Sequence, residues 1–462
     1  MSKPSIPQGT RDFYGETLYK RNFILQTIKN VFELYGFQPL ETPAMENLET
    51  LMGKYGDEGD KLIFKILNNG LADPKNIEKT KQGFKKILDG RNSEDISSRA
   101  LKYDLTIPFA RFVAMNYGQL NFPFKRYQVQ PVWRADRPQK GRYREFTQCD
   151  ADVVGSKSLI NEIELAGIYH KAFNQLGLKE YALHINNRKI LAGLAEICHA
   201  PDKMIDISIA IDKLDKIGLE KVKEELQQRG FENEQVSLVE KYLLIAGNNA
   251  SRIESMKKIF ANNETALKGI EELEFIITHC GSYNIIIDGT LARGLNYYTG
   301  IIFEAKAPAN VKMGSIGGGG RYDDLTGSFG VPDIAGVGIS FGVDRIYDVM
   351  DELDIFPAKM ESGTTALFMN MGSDEALSTL KIMQVLREEG ISCELYHEQA
   401  KMDKQFKYAS KKNIRYAVII GSREITEGKC SVKHLLTSSQ EEILISELSS
   451  WFKKELRLPN NI

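Results

Sequence analysis

The sequence predicts a mixed α/β (α+β) chain with an antiparallel-sheet core, a helical insertion within that core, and a separate C-terminal α/β module. Three observations point there. Residues 124–155 read as two period-2 arms around a polar, basic loop, the pattern of an antiparallel hairpin. Residues 189–280 turn helical and irregular, with charge-rich faces such as 216–229. From Thr365 onward, apolar strand-like and helical segments alternate over roughly 100 residues, an ordinary domain size. The expected boundaries are 1–355 for the first domain, interrupted by 189–280, and 363–462 for the second.

Composition narrows the class. A length of 462 residues suits two to four domains. The net charge of −2 provides no global field for nucleic acid, so such a partner would rely on local basic patches. The five cysteines, Cys149, Cys198, Cys280, Cys393 and Cys430, form no CxxC pair, which argues against a zinc site and against a disulfide framework. A sparse, odd set fits a reducing compartment. No apolar leader and no run of transmembrane length is visible, so the expected location is cytoplasmic, without a membrane partner.

Taken in order, residues 1–16 are an irregular lead-in containing Pro4, Pro7, Gly9 and Gly15. A helix follows from Thr17, with Ile24, Ile28, Val31, Phe32 and Tyr35 on one face and Gly36 at its end. Residues 36–43 predict a short strand that cannot be central, because Pro39 and Pro43 lack donors. Residues 68–98 are lysine-rich and punctuated by glycine, a surface excursion with one short helix at 77–88. Leu101 to Pro108 alternates, which predicts a strand with Asp104 and Thr106 on the same side. In the second hairpin arm Phe146, Gln148, Asp150 and Asp152 share one face, while Thr147, Cys149, Ala151 and Val153 share the other. The loop between the arms carries Arg134, Arg137, Lys140, Arg142 and Arg144. Carboxylates and an amide beside such a loop can hold an amine-bearing substrate next to an anionic one. The same pattern also describes a solvated hairpin with a charged tip.

Further strands are expected at 181–190, 284–287 and 301–305. The run Gly317-Gly318-Gly319-Gly320 lacks the following Lys-Ser/Thr of a P-loop and the spacing of a dinucleotide fingerprint, and instead lets backbone approach a flat ligand closely. Residues 336–345 read as a small-residue strand entering a helix. In the C-terminal module, strands are expected at 365–371, 391–396 and 416–421, and helices at 381–389, 403–412 and 442–455. Lys404, Lys407 and Lys411 share one helical face, suited either to phosphates or simply to solvent.

Trp133-Arg134-Ala135-Asp136-Arg137-Pro138, continued by Gly141-Arg142-Tyr143-Arg144-Glu145-Phe146, resembles motif 2 of class II aminoacyl-tRNA synthetases, and Phe146-Thr147-Gln148-Cys149-Asp150 resembles its histidine-specific version. Residues 36–43 resemble motif 1, Leu291 to Gly300 the family's histidine signature with Asn296 in place of the usual Asp, and Gly336 to Arg345 motif 3. The C-terminal module resembles that subgroup's anticodon-binding domain. The resemblance covers nearly the whole chain and implies activation of L-histidine by ATP with Mg²⁺, then transfer to tRNA(His), by a homodimer.

The resemblance also assigns roles. Arg134 would hold the α-phosphate and the carboxylate, Arg293 would stabilise the transition state, and Arg345 would grip the γ-phosphate, with Arg142 also on ATP. Arginine suits these tasks because its planar fork binds oxyanions bidentately and stays charged. Asp152 and Tyr298 would read the imidazole, beside Tyr297, with Gln148, Asp104 and Thr106 around the α-amine. Arg137 and Gln139 would contact the acceptor end of the tRNA. No residue is assigned to a metal. The competing class is a synthetase-like regulatory module; such modules typically lose the catalytic arginines or the C-terminal domain, and Arg134, Arg293, Arg345 and that domain are all present in this sequence.

Overall fold

The computed structural model describes residues 3–55, 59–139, 141–281, 283–292, 297–357 and 363–456. The chain forms two compact units, one comprising Met1–Asp12 with Arg21–Phe356 and the other Phe13–Lys20 with Pro357–Ile462.

The first unit carries strands β1 (Gln38–Pro39), β2 (Met45–Asn47), β3 (Lys65–Ile66), β4 (Arg99–Leu101), β5 (Phe124–Trp133), β6 (Glu145–Val154), β7 (Ala182–Asn187), β8 (Ile285–Ile287), β9 (Ile301–Lys306), β10 (Ser315–Tyr322) and β11 (Gly336–Gly342). Eight of them make one sheet in the order β1-β5-β6-β11-β10-β9-β7-β8, antiparallel except at its two edge pairs. β2, β4 and β3 form a small sheet beside it. One face of the large sheet is covered by the helix Ile160–Gln175, which packs Leu165, Ile168, Tyr169 and Phe173 against Cys149, Ala151, Val153 and Phe341. Ile24, Ile28, Val31 and Phe32 join the same core. The opposite face carries polar side chains, Arg126, Gln128, Asp150 and Asp152, which are themselves buried.

The hairpin is as the alternation predicts, with ten residues in each arm. β1 is an edge strand, in keeping with its prolines. Residues 188–279 are helical segments and their connections, among the described residues. The 77–88 helix is present and its surroundings are largely exposed.

The expected strand at 101–108 is corrected by the structure. β4 ends at Leu101, and a helix begins at Thr106 and runs to Asn116. Pro108 sits in its first turn, where the missing N–H would have had no helical partner anyway, so proline there begins a helix instead of ending a strand.

The second unit carries β12 (Ala366–Phe368), β13 (Cys393–Leu395), β14 (Tyr416–Ile419), β15 (Lys429–His434) and β16 (Gln440–Leu444) in the order β13-β12-β14-β15-β16, around a core with Phe368, Met383, Val418, Leu448 and Phe452. The helix expected from 442 starts only at Leu448, because 440–444 pairs with β15. β15 itself went unread in the sequence.

Candidate active site

Strand register builds the floor of the site. Asp150 on β6 lies opposite Gln128 on β5 and Ser340 on β11, and Ser340 in turn lies opposite Gly318 on β10. Asp152 lies opposite Arg126 and Gly338, with Gly320 next in line. These glycines make room. A Cβ on Gly338 would overlap the Asp152 carboxylate, and one on Gly320 would stand 2.9 Å from the Tyr298 ring. The glycine run is thus a sheet strand whose missing side chains admit neighbours over the sheet surface.

Above this floor is a cleft of about 680 Å³. Its lining includes Arg134, Arg142, Gln148, Tyr298 and Arg345 from the expected set, with Tyr143, Phe146, Glu304 and Asp344. Arg134 donates from Nε to the Tyr103 carbonyl at 3.1 Å, and its guanidinium lies 4.3 Å from the Tyr103 ring and 5.1 Å from the Phe146 ring. Arg345 donates to the carbonyls of Gly141 at 3.2 Å and Ser315 at 2.7 Å. Arg142 pairs with Asp136 at 2.8 Å while remaining half exposed. Arg137 and Gln139 are exposed at the loop, where Gln139 bridges to Arg142. Arg293, the expected transition-state arginine, and Asn296 lie outside the described residues, as does Lys140.

Deeper in, the polar groups are buried and only partly satisfied. Asp104 accepts from Tyr55 Oη at 3.0 Å and from the Ile107 N–H at 3.1 Å, so it braces the start of its helix as well as facing Tyr55. Thr106 hydrogen-bonds Tyr297. Asp152 pairs with Arg126 at 2.9 Å and accepts from Tyr322 Oη at 2.6 Å, all three groups being buried. Asp150 hydrogen-bonds Ser340; burial and the neighbouring Asp152 push its carboxyl up to about 7, with Arg126 pulling the other way. Among the described residues, buried side-chain oxygens without a hydrogen-bond partner at the site include Asp104 Oδ2, Gln148 Oε1, Asp150 Oδ1 and Gln128 Oε1, with Asp344 Oδ2 on the cleft wall; Arg126 Nε and Nη1 are buried donors without one. Buried acceptors are normally paired, so these oxygens fit a ligand that arrives with several N–H donors.

The sequence reading missed Arg126, Tyr322, Ser340 and Tyr55. Arg126 was within reach of a register argument, since it faces Asp152 across the hairpin, but that register depends on the length of an irregular loop.

Two family models match the chain: Histidyl-tRNA synthetase over residues 76–346 and Anticodon binding domain over residues 367–455. Histidine--tRNA ligase of Christiangramia forsetii is 53% identical over 460 residues, covering 98% of this chain and 99% of its own. The ligase of the same name from Phocaeicola vulgatus is 50% identical over 459 residues, covering 97% and 98%. The crystal structure of histidyl-tRNA synthetase from Nostoc sp. superposes with a TM-score of 0.82 at 32% identity, covering 98% of this chain and all of that one. Matched by the family model over more than half its length and by relatives over nearly all of it, the chain belongs to the histidyl-tRNA synthetase family.

Proposed function

We propose that the protein is a histidine–tRNA ligase that activates L-histidine with ATP, releasing pyrophosphate, and transfers the histidyl group from the adenylate to the 3′ end of tRNA(His). The observation that carries the amino-acid half is the group of buried acceptors on Asp104, Gln128, Gln148 and Asp150 without a partner among the described residues, beneath an arginine-lined cleft. A histidine α-ammonium brings three donors and its ring a fourth.

In this reading Asp104, Thr106, Gln148 and Tyr297 surround the α-amine. Tyr298 and Asp152 read the imidazole. Both Asp152 oxygens already accept, but a carboxylate has about four lone-pair sites and can take a further donor. Burial raises the Asp152 carboxyl above its usual range, and Arg126 and the Tyr322 hydroxyl beside it pull the other way, towards the charged form. Adenylate formation joins two anions, so catalysis rests on positioning and positive charge. Arg134 holds the α-phosphate and the substrate carboxylate, Arg345 and Arg142 the remaining phosphates, and Arg293 acts on the transition state. A site that hydrogen-bonds a polar ring rejects apolar amino acids by leaving its own buried groups unpaired.

Mg²⁺ would screen the ATP phosphates. Among the described residues no group of three or more His, Cys, Asp and Glu side chains forms a cage. Glu304, mostly buried at the cleft wall, suits the usual mode in which one or two carboxylates and the phosphates share the ion. Arg137 and Gln139 meet the tRNA acceptor end, and Lys404, Lys407 and Lys411, exposed on the helix Met402–Lys411, meet its anticodon arm. The protein acts in the cytoplasm; among the described residues no helix is long and apolar enough to cross a membrane. A homodimer is proposed through the motif 1 region, where β1 is the terminal strand of the large sheet. Sedimentation velocity at micromolar concentration tests that assembly, a monomer refuting it.

The test of the activation step is ATP–pyrophosphate exchange with each amino acid in turn. Exchange dependent on histidine supports the reading; exchange indifferent to histidine overturns it.

A further inference from the structure

The N-terminal lead-in, Pro7-Gln8-Gly9-Thr10-Arg11, reads as irregular in sequence and has no part in the roles assigned above. In the structure it lies along the motif 2 loop. The Gly9 carbonyl accepts from the N–H groups of Arg144 at 2.9 Å and Glu145 at 3.4 Å. Gly9 has φ +85°, and a Cβ there would stand 2.8 Å from Pro138 and 2.9 Å from Arg144, so both its conformation and its closeness to the loop call for glycine. Thr10 turns the strap by donating from both its N–H and its hydroxyl to the Pro7 carbonyl.

Arg11 then spans two walls of the cleft. Its Nη2 donates to Asp344 Oδ1 at 2.6 Å, and its guanidinium lies 3.2 Å from the centroid of the Tyr143 ring. Tyr143 follows Arg142 in the loop, and Asp344 precedes Arg345 at the start of the helix Val343–Glu352; all four line the cleft. Asp344 is also paired with Arg21, which anchors it independently. A planar cation stacked on a ring and bonded to a carboxylate fixes both distance and orientation.

We infer that the Pro7–Arg11 strap is a positioning part of the nucleotide cleft, with Arg11 clamping Tyr143 to Asp344 so that Arg142 and Arg345 face one ligand. This rests on the cleft being the ATP site. Arg11 is a positioning residue: it holds the residues that line the cleft and does not itself contact the nucleotide. Lysine at this position would keep the charge opposite Asp344 but lose the flat group that stacks on Tyr143.

The experiment is calorimetric titration of the full-length chain, as wild type, Arg11→Lys and Arg11→Ala, with ATP and separately with L-histidine, each variant checked by its thermal melt. Arg11→Ala is expected to weaken ATP binding about 10-fold, with Arg11→Lys in between and histidine affinity within about 2-fold of wild type for both. Unchanged ATP affinity in Arg11→Ala, or equal losses for ATP and histidine, overturns the inference. If Arg11→Ala does not fold, the Arg11→Lys titration decides by the same criterion. A wild-type chain that binds ATP but not histidine refutes the ligase reading and leaves the strap comparison intact.

Discussion

Replacing Asp150 with asparagine should make the protein more stable at and above neutral pH, with the stability difference moving in the variant's favour as pH rises. Asp150 is buried between Asp152 on its own strand, Arg126 on β5 and Ser340 on β11, with Asp104 and Tyr298 also close enough to influence it electrostatically. One arginine faces two carboxylates, and Asp152 holds it at 2.9 Å. Burial and Asp152 therefore raise the Asp150 carboxyl to about 7. In the unfolded chain it would titrate near 3.9. A raised acid binds its proton more tightly when folded, so ionising it costs folding energy. That cost is absent below about pH 4, grows between about pH 4 and pH 7, and is complete above. Roughly three pK units at about 1.4 kcal/mol each set a ceiling near 4 kcal/mol. An amide still accepts a hydrogen bond from Ser340 but brings an NH₂ that needs a partner at every pH, so the variant is expected to be about 2 kcal/mol more stable at pH 8 and to lose the whole ionisation advantage of about 4 kcal/mol by pH 4, where it becomes the less stable of the two. Urea unfolding measures it, followed by Trp133 fluorescence in a Trp451→Phe background, since these are the two tryptophans and only Trp133 reports the first unit. The comparison at each pH is between the Trp451→Phe chain and the same chain carrying Asp150→Asn in addition. A stability difference that stays flat or moves against the variant as pH rises would refute the account of Asp150.

Other outcomes follow from the same geometry. Gly338→Ala places a methyl group where the Asp152 carboxylate lies; histidine affinity should fall at least 10-fold, read by calorimetry, and an unchanged value would remove Asp152 from the pocket. Arg137→Ala, exposed on the loop, should raise the KM for tRNA several-fold and leave pyrophosphate exchange within 2-fold; equal loss in both assays would point to a fold or ATP role. Reversing three exposed charges with Lys404→Glu, Lys407→Glu and Lys411→Glu should weaken tRNA binding and flatten its salt dependence, while exchange is preserved; tRNA binding indifferent to the triple change would leave that helix face to solvent.

Much of this site was legible in the sequence because alternation on one strand sorts its side chains without knowing its neighbours. Gln148, Asp150 and Asp152 fall on the site face and Cys149, Ala151 and Val153 in the core, as the period of two demands. What alternation cannot supply is the partner across the sheet. Arg126, Ser340 and Gly338 meet β6 through registers fixed by loop lengths and by a long-range pairing between residues nearly 200 apart. Short segments also carry ambiguous periods. Asp104 and Thr106 are two apart, which fits a strand and fits equally the lead into a helix whose first turn contains Pro108. The strap at Gly9 and Arg11 was opaque for another reason: it has no period at all, and its meaning lies entirely in what it touches.

The most direct measurement is transfer of radiolabelled L-histidine to a tRNA(His) transcript by the full-length protein with ATP and Mg²⁺. Acid-precipitable label should accumulate with tRNA(His), fail with a transcript lacking the terminal adenosine, and fall by about 10²- to 10³-fold in rate with Arg293→His, the size expected for one positioned charge in a transition state. Histidine-dependent pyrophosphate exchange without any transfer to tRNA(His), in a folded protein, would contradict the ligase account.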